Sequence, residues 1–198
     1  MTSSFSANSQ NPLQKANPLR PVQAINTKAS LHLVLPQGQI QVHTGSYRGS
    51  FSVVLSEALR AAGLGSRVLI AQLLKGGVNQ GPNSIVNICG GLDWIRPDVE
   101  CCLSEEWMER RPEGSHSKES LAVKSIWDLC KSRLKENLVD RIVLDEIGLA
   151  ISLGFIEEDD LISTLNCRQP STDVILTGPS IPSQAIEMAD QITELRCN

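Results

Sequence analysis

Hydrophobic positions along the chain fall into short apolar segments alternating with longer amphipathic ones. "IQVHT", Ile40 to Thr44, alternates apolar and polar residues and ends at Gly45, as a half-buried strand does. "FSVVLSEALRAAG" follows. Its Val53, Val54, Leu55, Ala58 and Leu59 predict an amphipathic helix with one apolar face, stopped at Gly63. "RVLIAQLL" is a continuous apolar run, the pattern of a parallel strand buried on both faces. Between Gly76 and Gly114 the pattern dissolves among glycines and prolines, with one short candidate strand at "SIVNIC"; long loops of this kind often serve as lids or binding segments.

Periodicity returns with a helix over about 118–135, in which Ala122, Ile126, Leu129, Cys130 and Leu134 recur at three- and four-residue spacing. The strand "RIVLDE", a helix over about 157–165 with acids in its first turn, the strand "DVILTG", a helix opening near Pro182 and a last strand "ITELR" complete the chain. "LHLVL", residues 31–35, reads as a short lead-in strand. Strands alternating with helices predict an α/β fold, a parallel sheet with helices on both faces and right-handed crossovers. The first 30 residues differ: rich in Ser, Asn, Gln and Pro, they cannot bury enough apolar surface to offset their ordering entropy. The expected organisation is a disordered N-terminal arm over 1–30 and one domain over 31–198.

Charge sharpens this division. The chain carries a formal −4, yet the arm holds Lys15, Arg20 and Lys28 and no acid. Removing those three from the 18 basic residues leaves 15 against 22 acids, so the body carries −7 and has no electrostatic reason to bind nucleic acid. The basic arm is a candidate recruiter of a protein partner. No apolar run approaches membrane-spanning length, and no basic-then-apolar leader opens the sequence. The expected location is cytoplasmic, with an organelle transit peptide as the alternative reading of the Ser-rich, acid-free start. Six cysteines (Cys89, Cys101, Cys102, Cys130, Cys167, Cys197) form no C-x-x-C pair and are read as reduced. The adjacent Cys101 and Cys102 are ordinary loop thiols or a redox-sensitive pair. His43 lies beside the first turn, but no Cys or Asp is placed to complete a triad with it.

"VHTGSYRGSFS", "VLIAQLLKGG", "DRIVLDEIGLAISLGFIEEDDLISTLNCRQPSTDVILTG" and "IEMADQITELR" together resemble the P-loop type of corrinoid adenosyltransferase, over about Ile40 to Arg196. The resemblance implies a P-loop NTPase-like fold, ATP, Mg2+ and a corrinoid as ligands, and a homodimer. In that family reduced cobalt attacks the 5′ carbon of ATP and triphosphate departs. Helix N-terminal amides, a lysine, and magnesium on a loop hydroxyl steady the leaving group. The family loop reads approximately T-G-x-G-K-G-K-T-T, which the resemblance lays on Thr44, Gly45, Ser46, Tyr47, Arg48, Gly49, Ser50, Phe51 and Ser52. Thr44, Gly45 and Gly49 agree, and Ser52 keeps a hydroxyl. Tyr47 stands for a glycine, Arg48 for the first lysine, Ser50 for the phosphate-gripping lysine and Phe51 for the magnesium-binding hydroxyl.

The resemblance further assigns Glu146 to magnesium, and Gln72, Lys75 and Asp145 to the carboxyl edge of the sheet. The resemblance places Trp94 and Trp107 in a corrinoid-covering segment; as residues read on their own they are ordinary packing aromatics. Members of the family commonly continue past "ELR", so any part of the site built from that segment is expected to be absent here. Losing one preorganised donor to a developing charge costs about 3–4 kcal/mol, and losing the metal hydroxyl adds to it. The expectation is a degenerate phosphate site in a non-catalytic binding or regulatory protein. The alternatives are a working ATP:corrinoid adenosyltransferase using Arg48, Ser52 and Glu146, and an interaction scaffold with no small-molecule ligand. If residues 44–52 form a mere turn, Phe51 should pack into the core and Arg48 should face solvent.

Overall fold

The computed structural model describes residues 37–48, 51–110 and 117–196. The expected arm, the lead-in strand at 31–35, Gly49, Ser50 and Cys197 lie outside them. Among the described residues the chain runs β1 (Ile40–Gly45), α1 (Ser52–Gly63), β2 (Val68–Gln72), β3 (Val86–Asn87), β4 (Leu92–Ile95), α2 (Glu105–Arg110), α3 (Ser117–Lys135), β5 (Arg141–Asp145), α4 (Ile147–Ser152), α5 (Glu158–Asn166), β6 (Asp173–Thr177), α6 (Ser183–Glu187) and β7 (Gln191–Leu195).

These strands form one sheet in the order β3-β4-β2-β5-β6-β1-β7. All pairings are parallel except that of the two-residue edge strand β3 with β4. The α/β reading therefore holds, with one antiparallel edge added. "LDWI", the core of β4, is a strand in what the sequence presented as irregular chain. The candidate strand "SIVNIC" shrinks to Val86–Asn87. Gly90 and Gly91, at φ 50° and 132°, turn the chain between them in left-handed conformations that favour glycine.

Alternation along the central strands separates two cores. Leu69 and Ala71 of β2, Ile142 and Leu144 of β5, and Val174 and Leu176 of β6 face α3, α4, α5 and α6. Val68 and Ile70, Val143, and Ile175 face α1 alone. Helices thus cover both faces, but unequally. The buried stripe of α1 is Val54, Ala58 and Ala62, one residue every four, while Val53 and Leu59 are exposed. That corrects the expected face: only the positions spaced i, i+4, i+8 look down onto the sheet. In α3 the stripe Ile126, Cys130 and Leu134 is buried as expected, widened by Val123 and Trp127.

The short helix α4 has no cap signal in the sequence. Its first residue follows Glu146, which takes the left-handed conformation at φ 63°. Gly148, the second residue of α4, lies against the β6–α6 connection. A Cβ there would stand 2.3 Å from the Pro179 carbonyl oxygen and 2.6 Å from the Ile181 nitrogen. Gly148→Ala is therefore expected to cost about 1–3 kcal/mol through a forced backbone shift. Gly63→Ala, with nothing within 4 Å, should be neutral or stabilise by up to about 1 kcal/mol. Paired denaturant titrations of the two variants check this contrast.

Candidate functional site

Parallel strands put their carboxyl ends on one edge, and there β1, β2, β5 and β6 deliver Gly45, Gln72, Asp145 and Thr177. Asp145 and Glu146 end the apolar run of β5, and both are almost wholly buried, at 2% and 1% exposure. Buried carboxylates must be paired or fully hydrogen-bonded. Here each has its own cation.

Glu146 takes Arg48. The guanidinium Nε donates to Oε1 at 2.6 Å and an Nη donates to Oε2 at 3.0 Å, a two-pronged ion pair joining the turn after β1 to the end of β5. The hydrogen bond to Glu146 holds the arginine above its ordinary pKa, against the opposing effect of its own desolvation. Asp145 takes Lys75, whose Nζ donates to Oδ2 at 2.9 Å. The same oxygen accepts from Gln72 Nε2 at 2.8 Å, while Oδ1 accepts from the Thr177 hydroxyl at 2.7 Å. Thr177 Oγ1 in turn accepts the Glu146 backbone N–H at 3.2 Å. Gln72 Oε1 accepts from Trp94 Nε1 at 2.9 Å and from Arg96 Nε at 2.7 Å, so the network crosses the sheet from β6 to β4.

The predicted residues are thus partly assembled. Gln72, Lys75, Asp145, Glu146 and Arg48 meet at the carboxyl edge. Phe51 lies elsewhere: 6% exposed, it joins Val54, Ala58 and Ile70 in the core beneath α1, with its ring 6.5 Å from that of His43 in an edge-on contact. The expectation of Phe51 in the core is met, whereas Arg48 is not a solvent side chain. Thr44 and Gly45 close β1, and Ser52 opens α1 on the exposed side. Tyr47 is 42% exposed and lines a groove of about 490 Å3 with His43, Phe51 and Thr193. Trp94 sits within β4 rather than in a loop, half-buried, with the Arg96 guanidinium 5.9 Å from its ring centre. Trp107 lies in α2, partly buried against the larger core. Thr177 and Arg96 were missed by sequence reasoning. Thr177, at the carboxyl end of its strand like Asp145, offered a signal; Arg96 offered none.

Above the Arg48–Glu146 pair opens a cavity of about 550 Å3 lined by Ser46, Arg48, Ser104, Glu105, Glu106 and the β6–α6 connection at Pro179–Ser180. Among the described residues its one lining cation, Arg48, is already engaged by Glu146, and the first turn of α2 contributes two acids. An entering polyanion meets a wall of its own sign. Magnesium fits no better. Both Glu146 oxygens accept from Arg48, and Phe51, which the resemblance lays on the metal-binding hydroxyl, is buried. Among the described residues no group of three His, Cys, Asp or Glu is arranged to hold a metal.

Elsewhere, the five described cysteines are all unbridged. Burial pushes the Cys130 thiol up to about 12, leaving the exposed Cys101, Cys102 and Cys167 as the accessible ones. Among the described residues no helix is long and apolar enough to cross a membrane.

A β-strand leading into a turn and a helix, with an acid-ended strand two places away in the sheet, defines the class: α/β proteins built like the phosphate-loop enzymes. Within it the chain belongs to the corrinoid adenosyltransferases, since residues 36–198 match the family described as ATP:corrinoid adenosyltransferase BtuR/CobO/CobP. It is similar to the corrinoid adenosyltransferase CobA of Salmonella typhimurium, 28% identical over 160 residues covering 81% of this chain and 77% of that one. The corrinoid adenosyltransferase of Escherichia coli K12 is 26% identical over the same shares. An uncharacterized Nostoc protein, all2391, is 27% identical over 168 residues, 80% of this chain but 44% of that protein.

Two measurements check the site. Arg48→Ala leaves a buried carboxylate without its cation and should cost about 3 kcal/mol, the low end for such pairs because Arg48 keeps some solvent contact. Adding Glu146→Gln should return part of that loss in a double-mutant cycle. Separately, burial lowers the His43 pKa below its usual 6.5, with Glu57 opposing. The unfolded chain then binds more protons in the window just below 6.5. Stability is full above that value and is lost as pH falls through the folded pKa. Melting curves between about pH 5 and 7.5 should show this loss, and His43→Gln should flatten it.

Proposed function

We propose that this chain is a non-catalytic member of the corrinoid adenosyltransferase family, a binding or regulatory protein whose triphosphate site is closed by internal ion pairs. The observation that carries this reading is the two-pronged contact of Arg48 with Glu146. In the family's chemistry a loop cation grips phosphate and the strand-end acid holds magnesium. Here the cation and the acid satisfy each other. A rescue by Arg48 of the lysine position held by Ser50 requires breaking that pair and leaving the Glu146 charge unpartnered beside Asp145. Phe51 supports the same reading, because swinging it out to free a metal position would strip an aromatic ring from the core. The loss of one charge-stabilising donor alone corresponds to about 3–4 kcal/mol of transition-state stabilisation, two to three powers of ten in rate.

The cavity beside the pair is large enough for part of a bulky ligand, and its lining of serines, Leu149 and Pro179 with the acids Glu105 and Glu106 suits amide-bearing groups better than phosphates. A corrinoid held without ATP is therefore the ligand this reading favours. The second reading, a working ATP:corrinoid adenosyltransferase, is supported by membership over nearly the whole described domain.

Melting of the full chain separates them, because a ligand bound to the native state must raise the transition by mass action. The expected result is no rise with excess Mg-ATP and a rise with a corrinoid. A rise with Mg-ATP that Arg48→Ala abolishes overturns the proposal in favour of the enzyme. No rise with either ligand overturns it in favour of a scaffold. As a complement, Ser50→Lys combined with Phe51→Thr leaves the Arg48–Glu146 pair intact and is expected to gain no Mg-ATP stabilisation; a gain would show that the ion pair does not close the site.

A further inference from the structure

We propose that Arg48 is a built-in replacement for a divalent cation: its guanidinium occupies the cation position beside Glu146 and so decides that this family site works without metal. This deepens the reading of a closed triphosphate site and rests on it.

Charge balance comes first. Two consecutive carboxylates, Asp145 and Glu146, are 2% and 1% exposed at the end of β5, too buried to remain ionised without counter-charge. Two cations answer them one for one, Lys75 on Asp145 and Arg48 on Glu146. The group is neutral as it stands. A divalent ion added to it would leave an excess of two positive charges, so nothing electrostatic draws one in.

Geometry makes the replacement specific to Arg48. Asp145 is already held at both oxygens, Oδ2 by Gln72 and Lys75 and Oδ1 by Thr177, with Lys75 as its counter-charge. Glu146 is different. Its carboxylate receives hydrogen bonds only from Arg48 among the described residues, and Arg48 comes from the turn after β1, on the far side of β6. The guanidinium therefore does what a metal on the loop would do, tying that turn to the acid-ended strand through shared positive charge. Removing it would leave the buried Glu146 carboxylate without a cation, behind a cavity that Arg48 lines together with Ser46 and Ser180, hydroxyl oxygens of the sort hard divalent cations take, with water completing their shell.

Unlike a lysine, a guanidinium can cover both oxygens of one carboxylate at once. The chain's departure from the family's lysine at this position thus changes function, and is more than a conservative exchange. Arg48 acts as a specificity-determining residue for cation type.

The test uses the full chain without nucleotide, so that its failure is distinguishable from failure of the Mg-ATP experiment. Melting temperatures are measured for the unmodified protein, Arg48→Met, Arg48→Met/Glu146→Gln and Arg48→Lys, with EDTA, MgCl2 or MnCl2 at matched ionic strength. The unmodified protein is expected to melt at one temperature in all three. Arg48→Met should melt lower in EDTA and recover by about 5–10 °C at a hundredfold excess of Mn2+ over its Kd. The double variant should not respond, because its acid is neutral. Recovery of Arg48→Met by guanidinium ion at low millimolar concentration would support the same assignment. Stabilisation of the unmodified chain by Mg2+ or Mn2+ alone would overturn it, as would an Arg48→Met protein indifferent to both metals. Should Arg48→Met fail to fold, Arg48→Lys keeps the question open to decision: a lysine variant that Mn2+ stabilises, because one Glu146 oxygen is left uncovered, supports the proposal and a metal-indifferent one contradicts it.

Discussion

Two adjacent carboxylates buried at the end of a strand are the constraint around which this molecule is arranged. Charge in such a place is tolerated only with a partner, and every neighbouring strand end contributes one: Gln72 and Lys75 from β2 and its following turn, Thr177 from β6, Arg48 from the turn after β1. Breaking one such pair costs more than forming it contributed, because the remaining charge is left without water or partner. The carboxyl edge of the sheet is therefore held as a unit. The left-handed conformation of Glu146 and the close approach of Gly178 to it follow from the need to aim the acid back at β1.

That arrangement links fold to function by subtraction. Phosphate-loop chemistry depends on positive charge that is free when the substrate arrives and on an acid that can hold a metal. The sheet here preserves the framework of that chemistry, with the loop strand and the acid-ended strand separated by one strand. In the proposed reading the side chains close it from within. Arg48 and Glu146 neutralise each other, Phe51 is part of the packing under α1, and the nearest open space is flanked by Glu105 and Glu106. Family membership and the proposed loss of the phosphate grip are compatible, since the first is carried by the strands and helices and the second would be carried by a handful of side chains.

The sequence announced the strands that are buried on both sides, because continuous runs such as "VLIAQ" and "IVLD" have no other comfortable place. β1 and β7 were legible through alternation and position. β4 was not: four residues bounded by Gly91 and Arg96, with Asp93 in the middle, carry too little pattern, and only pairing with β2 makes them a strand. α4 escaped because its start depends on a non-glycine residue at positive φ, which no sequence signal marks. Val53 and Leu59 misled the reading of α1, since apolar residues near the edges of a helical stripe count as a face until the sheet beneath sets its width. At the site, the candidate residues were recognisable by their order along the chain. Their pairing was not, because Arg48 and Glu146 lie 98 positions apart and only the crossover through β6 brings them together.

The central claim is that a loop whose cation and acid satisfy each other cannot steady a departing triphosphate. Its most direct test is turnover by the purified, unmodified full chain supplied with ATP, Mg2+ and a chemically reduced corrinoid, followed by the appearance of the adenosylated product. The account predicts a rate no higher than that of the same mixture without protein. Sustained, protein-dependent formation of the adenosylated corrinoid would contradict it.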